Sequence, residues 1–194
     1  MSEETPVGAA RQASPLLPRA EDFMAAVSHY QGPLLRYVGR MLDGGSSHGE
    51  AEDIVQETFI RLHRQVHSRG PDSIEHLTTW LFRVAHNLVL DALRLRERQG
   101  SAKTVADPAA VVREQAEEMD ALGEMIRREA RQVVLQELNE LDDLYRQVVL
   151  LKVVQGMSLR QVAEVVGVSF STVNYRLNQG LSLLAQRLRK AGVV

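Results

Sequence analysis

The chain has 194 residues and a formal net charge of −2, with 44% apolar and 5% aromatic residues. This length suits two small domains better than one large one, and the balanced charge requires any nucleic-acid contact to come from local basic patches. Because the sequence contains no cysteine, disulfides, thiolate catalysis and cysteine-ligated zinc are excluded. No apolar run has the length of a membrane span and the N-terminus lacks a signal pattern, so we expect a cytoplasmic protein without membrane insertion.

The N-terminal half of the chain is expected to hold a tail and a first helical domain. Residues 1–20 contain three prolines among small and polar residues, which predicts a disordered tail. Residues 21–98 have helical patterning and form the predicted first domain. Its first helix, near Asp22–Tyr30, should stop at Gly32-Pro33, because proline disfavours helical geometry in the residue before it. Three further helices are predicted over about 33–42, 50–67 and 74–98, the last two separated by Gly70-Pro71.

The C-terminal half is expected to hold a linker and a second helical domain. Gly100, Ser101 and Pro108 interrupt the helical pattern, so we predict a linker over 99–132. Its charged, helix-prone part, 113–129, fits either a continued linker or the start of the next domain. From 133 to 194 the pattern is helical again. Since no strand alternation or internal repeat stands out, the predicted fold is all-α, with two small helical domains joined by a flexible linker.

The segment 156–178 has the pattern of a helix-turn-helix. Ser158 is suited to cap a short helix, Gly167 supplies the turn, and Ser169 or Ser171 can cap a second helix. The apolar stripe of this second helix consists of Val173, Leu177, Leu181, Leu184 and Leu188. A helix held in this way can lie in the major groove of DNA, although many unrelated regulators share the motif.

Two helices of the first domain each have a polar face. On helix 50–67, the side opposite the apolar stripe contains Asp53, Gln56 and Glu57, and such a face is usually only solvated. On helix 74–98, Arg83 and Asn87 face away from the core. Arginine can bind phosphate and asparagine can read base edges, but ordinary surface residues give the same pattern.

The two domains together resemble one protein family. Ala51-Glu-Asp-Ile-Val-Gln-Glu-Thr-Phe59 and Trp80-Leu-Phe-Arg-Val-Ala-His-Asn87, followed by Asp91 and Arg94, resemble the second conserved region of bacterial RNA polymerase sigma factors. The resemblance is to the small extracytoplasmic-function (ECF) group, and the helix-turn-helix resembles the fourth region of that group. These blocks cover about 21–98 and 133–190, in the order that the family has them.

The resemblance implies a protein that binds core RNA polymerase, recognises the −35 promoter element and melts the −10 element, with four helices in the promoter-melting domain. The residues implied in docking on the polymerase clamp are Asp53, Ile54, Val55, Gln56, Glu57 and Phe59. Those implied at the −10 element are Trp80, Arg83, Asn87, Arg94 and Arg96, with the loop over about 68–79. Those implied at the −35 element are Ser169, Ser171, Thr172, Asn174, Tyr175, Arg176 and Asn178. The resemblance also implies an anti-sigma protein as a further partner, and neither a catalytic centre nor a cofactor.

The helix-turn-helix departs from the family at four positions. Asn174, Gln179 and Leu181 stand where the family often has lysine or arginine, and Ser171 stands where it has glycine. Fewer cations release fewer counterions when DNA binds. The departures therefore bear on which promoter sequence is recognised.

Two other functions are compatible with parts of the sequence. A free-standing helix-turn-helix regulator would use the N-terminal bundle for dimerisation or sensing, but has no reason to contain the Asp53–Phe59 and Trp80–Asn87 blocks. A metalloenzyme would need more than His63 and His67, which have ligand spacing but lack the glutamate of a His-Glu-x-x-His motif. Surface histidines explain this pair more simply, and no metal site is predicted.

Overall fold

The computed structural model describes the backbone of residues 20–42, 48–98 and 121–192. Every secondary-structure element in these ranges is helical, which confirms the all-α prediction. The first domain contains α1 (Ala20–Met41), α2 (His48–Arg69), a 3-10 turn (Pro71–Ser73) and α3 (Leu77–Arg98). The second contains α4 (Ala121–Asn139), α5 (Asp143–Val149), a π-helical turn (Leu150–Val154), α6 (Leu159–Val166) and α7 (Phe170–Lys190).

Some of the predictions fall on parts of the chain that the structure does not describe. The predicted tail, apart from Ala20, and the first part of the predicted linker, 99–120, lie outside the described residues. α4 begins at Ala121, within the stretch predicted as linker. Within the described ranges, no helix combines the length and hydrophobicity needed to cross a bilayer.

The predicted helix break at Gly32-Pro33 is wrong, because α1 is one continuous helix of 22 residues. Proline lacks a backbone N–H and crowds the preceding turn, which costs about 3 kcal/mol in a helix interior. Burying one large apolar side chain is worth about 1.5–3 kcal/mol, and several in α1 are buried on both sides of the proline. They are Tyr30, Leu34, Tyr37, Val38 and Met41. The free energy gained by burying these side chains exceeds the cost of Pro33 in the helix interior. The first domain therefore has three long helices rather than four.

A short turn sets where α3 begins. Gly70 adopts a φ of 80°, a conformation that favours glycine, and α2 ends before it as predicted. The Ser73 hydroxyl donates a hydrogen bond of 2.6 Å to the Gly70 carbonyl. Because residues 71–73 form this 3-10 turn, α3 begins at Leu77 rather than at the predicted Ile74.

A buried polar pair joins α1 to α3 in the core of the first domain. The Tyr37 hydroxyl and His86 Nδ1 are 2.8 Å apart, and Phe82 packs edge-on against Tyr37 with ring centroids 5.5 Å apart. Burial lowers the pKa of His86 to about 4 and raises the pKa of Tyr37. Both rings are therefore neutral at physiological pH, which is the form that a dry core favours.

In the second domain, α5 and α7 cross at Gly180. A Cβ at this position would lie 3.0 Å from Val149 Cγ2 and 3.1 Å from Tyr145 Cβ. Glycine therefore allows a closer approach of the two helices than any residue with a side chain would. Leu177 and Leu188 of α7 are buried, whereas Leu181, predicted as part of the same stripe, is 38% exposed.

The two domains contact each other. α6 packs against α3, and α5 meets α1. Arg146 of α5 is buried, forms an ion pair with Asp143 and donates a 3.1 Å hydrogen bond to the Arg40 carbonyl. That carbonyl lies in the last turn of α1, where helical carbonyls lack intrahelical partners. Burial lowers the pKa of Arg146 to about 10, still well above neutrality. The guanidinium thus remains charged and ties α5 to the end of α1.

Candidate nucleic-acid interface

The first helix of the helix-turn-helix is fixed by local contacts at both ends. Ser158 Oγ accepts from the Gln161 N–H at 3.3 Å, and Gln161 Oε1 accepts from the Ser158 N–H at 2.9 Å. This reciprocal capping box satisfies two donors that a helix start leaves unpaired. At the other end Gly167 takes a left-handed φ of 73°. The predicted cap and turn residues are both confirmed.

Ser169, rather than Ser171, caps the recognition helix α7. Its hydroxyl oxygen accepts from the Thr172 N–H at 3.1 Å. The same hydroxyl lies 2.9 Å from Ser171 Oγ and 2.8 Å from Thr172 Oγ1. Three of the residues predicted to contact the −35 element are therefore joined in one hydroxyl network at the start of α7.

The remaining predicted −35 residues lie over the next two turns of α7. Asn174, Tyr175 and Asn178 are exposed, Tyr175 by 60%, and Arg176 is half-buried on the flank. Val173 and Leu177, on the other side of the helix, are buried. Exposure on one side and burial on the other leave the predicted reading face open to solvent.

α3 presents four of the five predicted −10 residues on one face. Trp80, Arg83, Asn87 and Arg94 are separated by three, four and seven residues, a spacing that keeps side chains on one side of a helix. Arg83, Asn87 and Arg94 are exposed and Trp80 is partly buried. Arg94 also forms an exposed ion pair of 3.1 Å with Asp91. The face combines cations, an amide and an aromatic ring.

Arg96 does not belong to this face, and its contact with the −10 element stays a prediction. It lies two residues beyond Arg94 and so points to the other side of α3. Its guanidinium forms an ion pair with Glu50 and donates to the Leu42 carbonyl at 3.4 Å. Arg96 thus joins α3 to the end of α1 and the start of α2.

A pocket of about 200 Å³ lies at the N-terminal end of the α3 face. Trp80 and Arg83 form one wall and the segment Ser73–His76 another. Glu164 of α6 lines the third side, so the second domain places a carboxylate beside this pocket. The segment before α3 and the α3 face therefore meet in one concave surface.

The predicted polymerase-docking residues divide into an exposed set and a buried set. Asp53 and Gln56 are exposed, and Glu57 forms a 2.9 Å ion pair with Arg61. Ile54, in contrast, is only 8% exposed and belongs to the core. Ile54 is not among the residues that line the groove between α1 and α2, and it packs in the core of the first domain.

Val55 and Phe59 are also buried, but they line a groove between α1 and α2. The groove has a volume of about 630 Å³. Its remaining apolar lining includes Phe23 and Val27 of α1, and its polar lining includes Gln56. We call this surface, lined by α1 residues 23–35 and α2 residues 52–64, the α1–α2 groove.

His63 and His67 stack on each other, with ring centroids 6.1 Å apart. Phe23 packs edge-on against His63 at 5.7 Å. The structure brings no group of three or more possible metal ligands together within the residues it describes.

Two structurally important residues were missed at the sequence level. Gly180 sits inside a helical pattern, where an unexplained glycine indicates a close backbone approach, and this signal was available. Arg146 offered no such signal, because its role depends on α1 carbonyls more than 100 positions away along the chain.

The chain matches two family models. Residues 26–99 match Sigma-70 region 2, and residues 131–184 match Sigma-70 region 4. It is 30% identical over 171 residues to the ECF RNA polymerase sigma factor SigW of Bacillus subtilis, covering 86% of this chain and 89% of that protein. It is 29% identical over 162 residues to the ECF RNA polymerase sigma-E factor of Escherichia coli K12, covering 80% of each.

Solved structures have the same fold. The sigma factor RpoE of Bartonella quintana, in complex with the anti-sigma factor NepR, superposes with a TM-score of 0.65 at 23% identity, covering 88% of this chain and 98% of that one. CnrH, in complex with the cytosolic domain of CnrY, gives 0.59 at 23% identity, covering 89% and 90%.

The two matched regions define the class of protein as a transcription initiation factor. The chain belongs to the ECF group of RNA polymerase sigma factors, the subunits that direct the enzyme to promoters.

Proposed function

We propose that this sigma factor docks on core RNA polymerase through the α1–α2 groove, melts the −10 element with α3 and anchors at the −35 element with α7. The observation that carries the proposal is that one chain has an open α3 face, an open α7 face and a groove on a third surface. A free-standing regulator would need only the α7 face. The polymerase is cytoplasmic, and this function places the chain there too.

For polymerase docking, the groove offers both of the components that stable protein interfaces use. Val55, Phe59 and Phe23 give it an apolar lining, while Gln56 is polar and accessible. Buried apolar anchors with a polar rim are typical of protein interfaces. Asp53 and Glu57 lie next to the groove on α2 and supply negative charge for a basic partner surface.

For the −10 element, the α3 face suits DNA whose strands have separated. Arg83 and Arg94 supply positive charge for phosphates, and Asn87 offers an amide to a base edge. Trp80 is partly exposed at the pocket, where its ring can stack on an unpaired base. Unstacking a base costs only a few kcal/mol, which contacts of this kind can offset.

Replacing Gln56 and Glu57 with alanine tests the docking step. Both side chains are on the accessible side of α2, so we expect the variant to fold and to bind core polymerase about tenfold more weakly, equivalent to about 1.4 kcal/mol. The measurement is titration of labelled sigma factor with core enzyme. The matched control replaces Gln136 and Glu140, an exposed pair of the same residue types on and just beyond α4. Equal affinity of the docking variant and the control would refute the groove as the polymerase site.

An anti-sigma protein is a further proposed partner. The support is a solved structure of the same fold in which RpoE of Bartonella quintana binds the anti-sigma factor NepR, together with that of CnrH in complex with the cytosolic domain of CnrY. Purification of the tagged chain from its own cells tests this proposal. A co-purifying protein that blocks polymerase binding is expected, and recovery of core polymerase alone would contradict it.

A further inference from the structure

The part of α7 that would enter the DNA groove contains few charged side chains. Between Phe170 and Ser182, the only charged side chain is Arg176, and it is half-buried. The other cations of α7 lie in its last turn, at Arg187, Arg189 and Lys190. Phosphate attraction is therefore weak where the helix would enter the groove, and binding there has to rely on base contacts.

The hydroxyl network at the start of α7 engages three of the side chains that were predicted to read bases. Ser169 accepts the capping hydrogen bond from Thr172, and its hydroxyl also contacts those of Ser171 and Thr172. These contacts hold the three side chains against the helix end. Asn174, Tyr175 and Asn178 are exposed and make no side-chain hydrogen bond to the described part of the chain. Their polar groups are the ones available to base edges.

Asn174 and Asn178 are four residues apart, so they are neighbours on one side of the helix. They are separated along its axis by about 6 Å, close to two base-pair steps of about 3.4 Å. An asparagine amide matches adenine, donating to N7 and accepting from N6, whereas guanine is the partner of arginine or lysine. The tyrosine ring offers an apolar surface of the kind that meets the methyl group of thymine.

We propose that Asn174 and Asn178 determine the −35 specificity of this sigma factor by each reading one adenine, within about two base-pair steps of each other, with Tyr175 packing on an adjacent thymine. Arg176 contributes a phosphate contact that does not depend on sequence. The proposal rests on the proposed function, because it assumes that α7 enters the −35 major groove. It adds that the helix selects A·T pairs at the positions where a more cationic helix would favour guanine.

The test is transcription by reconstituted holoenzyme from a promoter library with a randomised −35 element and a fixed −10 element. Wild-type protein should enrich adenine at two nearby positions by about 5- to 150-fold over guanine. Asn174→Ala and Asn178→Ala should each remove the preference at one position only. Asn178→Arg should change the preferred base at the position that Asn178 reads from adenine to guanine. Tyr175→Ala should weaken the preference for the adjacent thymine.

Arg176→Gln is the matched control, since losing a phosphate contact should reduce transcription evenly across all −35 sequences. The proposal would be overturned if both asparagine variants still enriched adenine as wild type does, or if wild-type protein enriched guanine at both positions. In either case transcription itself persists, so the sigma function would stand. If no library member is transcribed although other sigma factors are active with the same core enzyme, the proposed function fails instead.

Discussion

At the scale of single residues, the buried Tyr37–His86 pair makes stability depend on pH. Burial holds the pKa of His86 at about 4, well below the ordinary histidine value of about 6.5. The unfolded chain therefore binds this proton more readily than the folded one, and stability falls as pH decreases from 6.5 to 4. The full loss is about 3 kcal/mol, since each tenfold difference in proton affinity between the folded and unfolded chain is worth about 1.4 kcal/mol.

Denaturant unfolding at pH 7.0, 5.5 and 4.5 checks this expectation. His86→Gln retains a hydrogen-bonding group for Tyr37 but has no titratable ring, so its stability should fall less over the same range. The interpretation would be wrong if wild type and variant lost stability equally, because the acid sensitivity would then come from other groups.

Residue types and helical spacing predicted which side chains of α3 share a face, whereas the DNA contacts assigned to them stay predictions. The spacing of Arg83, Asn87 and Arg94 correctly predicted a common face, and Trp80, predicted on its flank, lies partly buried on the same side of α3. Arg96 was grouped with them because the family resemblance concerns residue types, whereas its partner Glu50 lies 46 positions away in sequence. Contacts between residues so far apart in sequence depend on tertiary packing, which local sequence patterns do not predict.

At the scale of helices, the close crossing of α5 and α7 requires a glycine at position 180. Gly180→Ala should destabilise the protein by about 1–3 kcal/mol, because the added methyl group would press on Val149 and Tyr145. Gly39→Ala in α1 is the control, since a Cβ there meets no atom within 4 Å. That change should stabilise by about 0.5–1 kcal/mol through helix propensity. Thermal unfolding of both variants measures the difference, and equal effects would argue against a tight crossing.

Helix boundaries were predictable where local chemistry decides them. Ser158 and Gly167 define α6 through contacts within one turn, so the sequence predicted its ends correctly. The break predicted in α1 failed because buried residues on both sides of Pro33 stabilise the continuous helix. Burial of this kind depends on α2 and α3, and a single proline does not reveal it.

At the scale of the whole molecule, the contact between the domains conflicts with simultaneous binding of both promoter elements. α6 packs directly on α3, and a helix with its side chains is only about 10–12 Å across. Elements named for positions −35 and −10 are about 25 base pairs apart, or about 85 Å at about 3.4 Å per pair. We therefore expect the contacts of Arg146 and Glu164 with the first domain to break when the promoter is bound.

The absence of cysteine allows a direct measurement of this opening. Spin labels on Ser28→Cys and Gln186→Cys, both exposed positions, report the distance between the domains by electron–electron resonance. A short distance is expected for the free protein, and one longer by tens of ångströms for the promoter complex. The same short distance in both states would contradict the requirement for domain separation.

The central claim is that this chain directs core RNA polymerase to promoters, and one combined measurement tests it most directly. The chain is used to capture bacterial core RNA polymerase, and the captured enzyme then transcribes a library of promoters. The account predicts stable association and start sites that share paired upstream elements. Failure to bind the polymerase, together with tight sequence-specific DNA binding by the chain alone, would contradict the account and indicate a free-standing regulator.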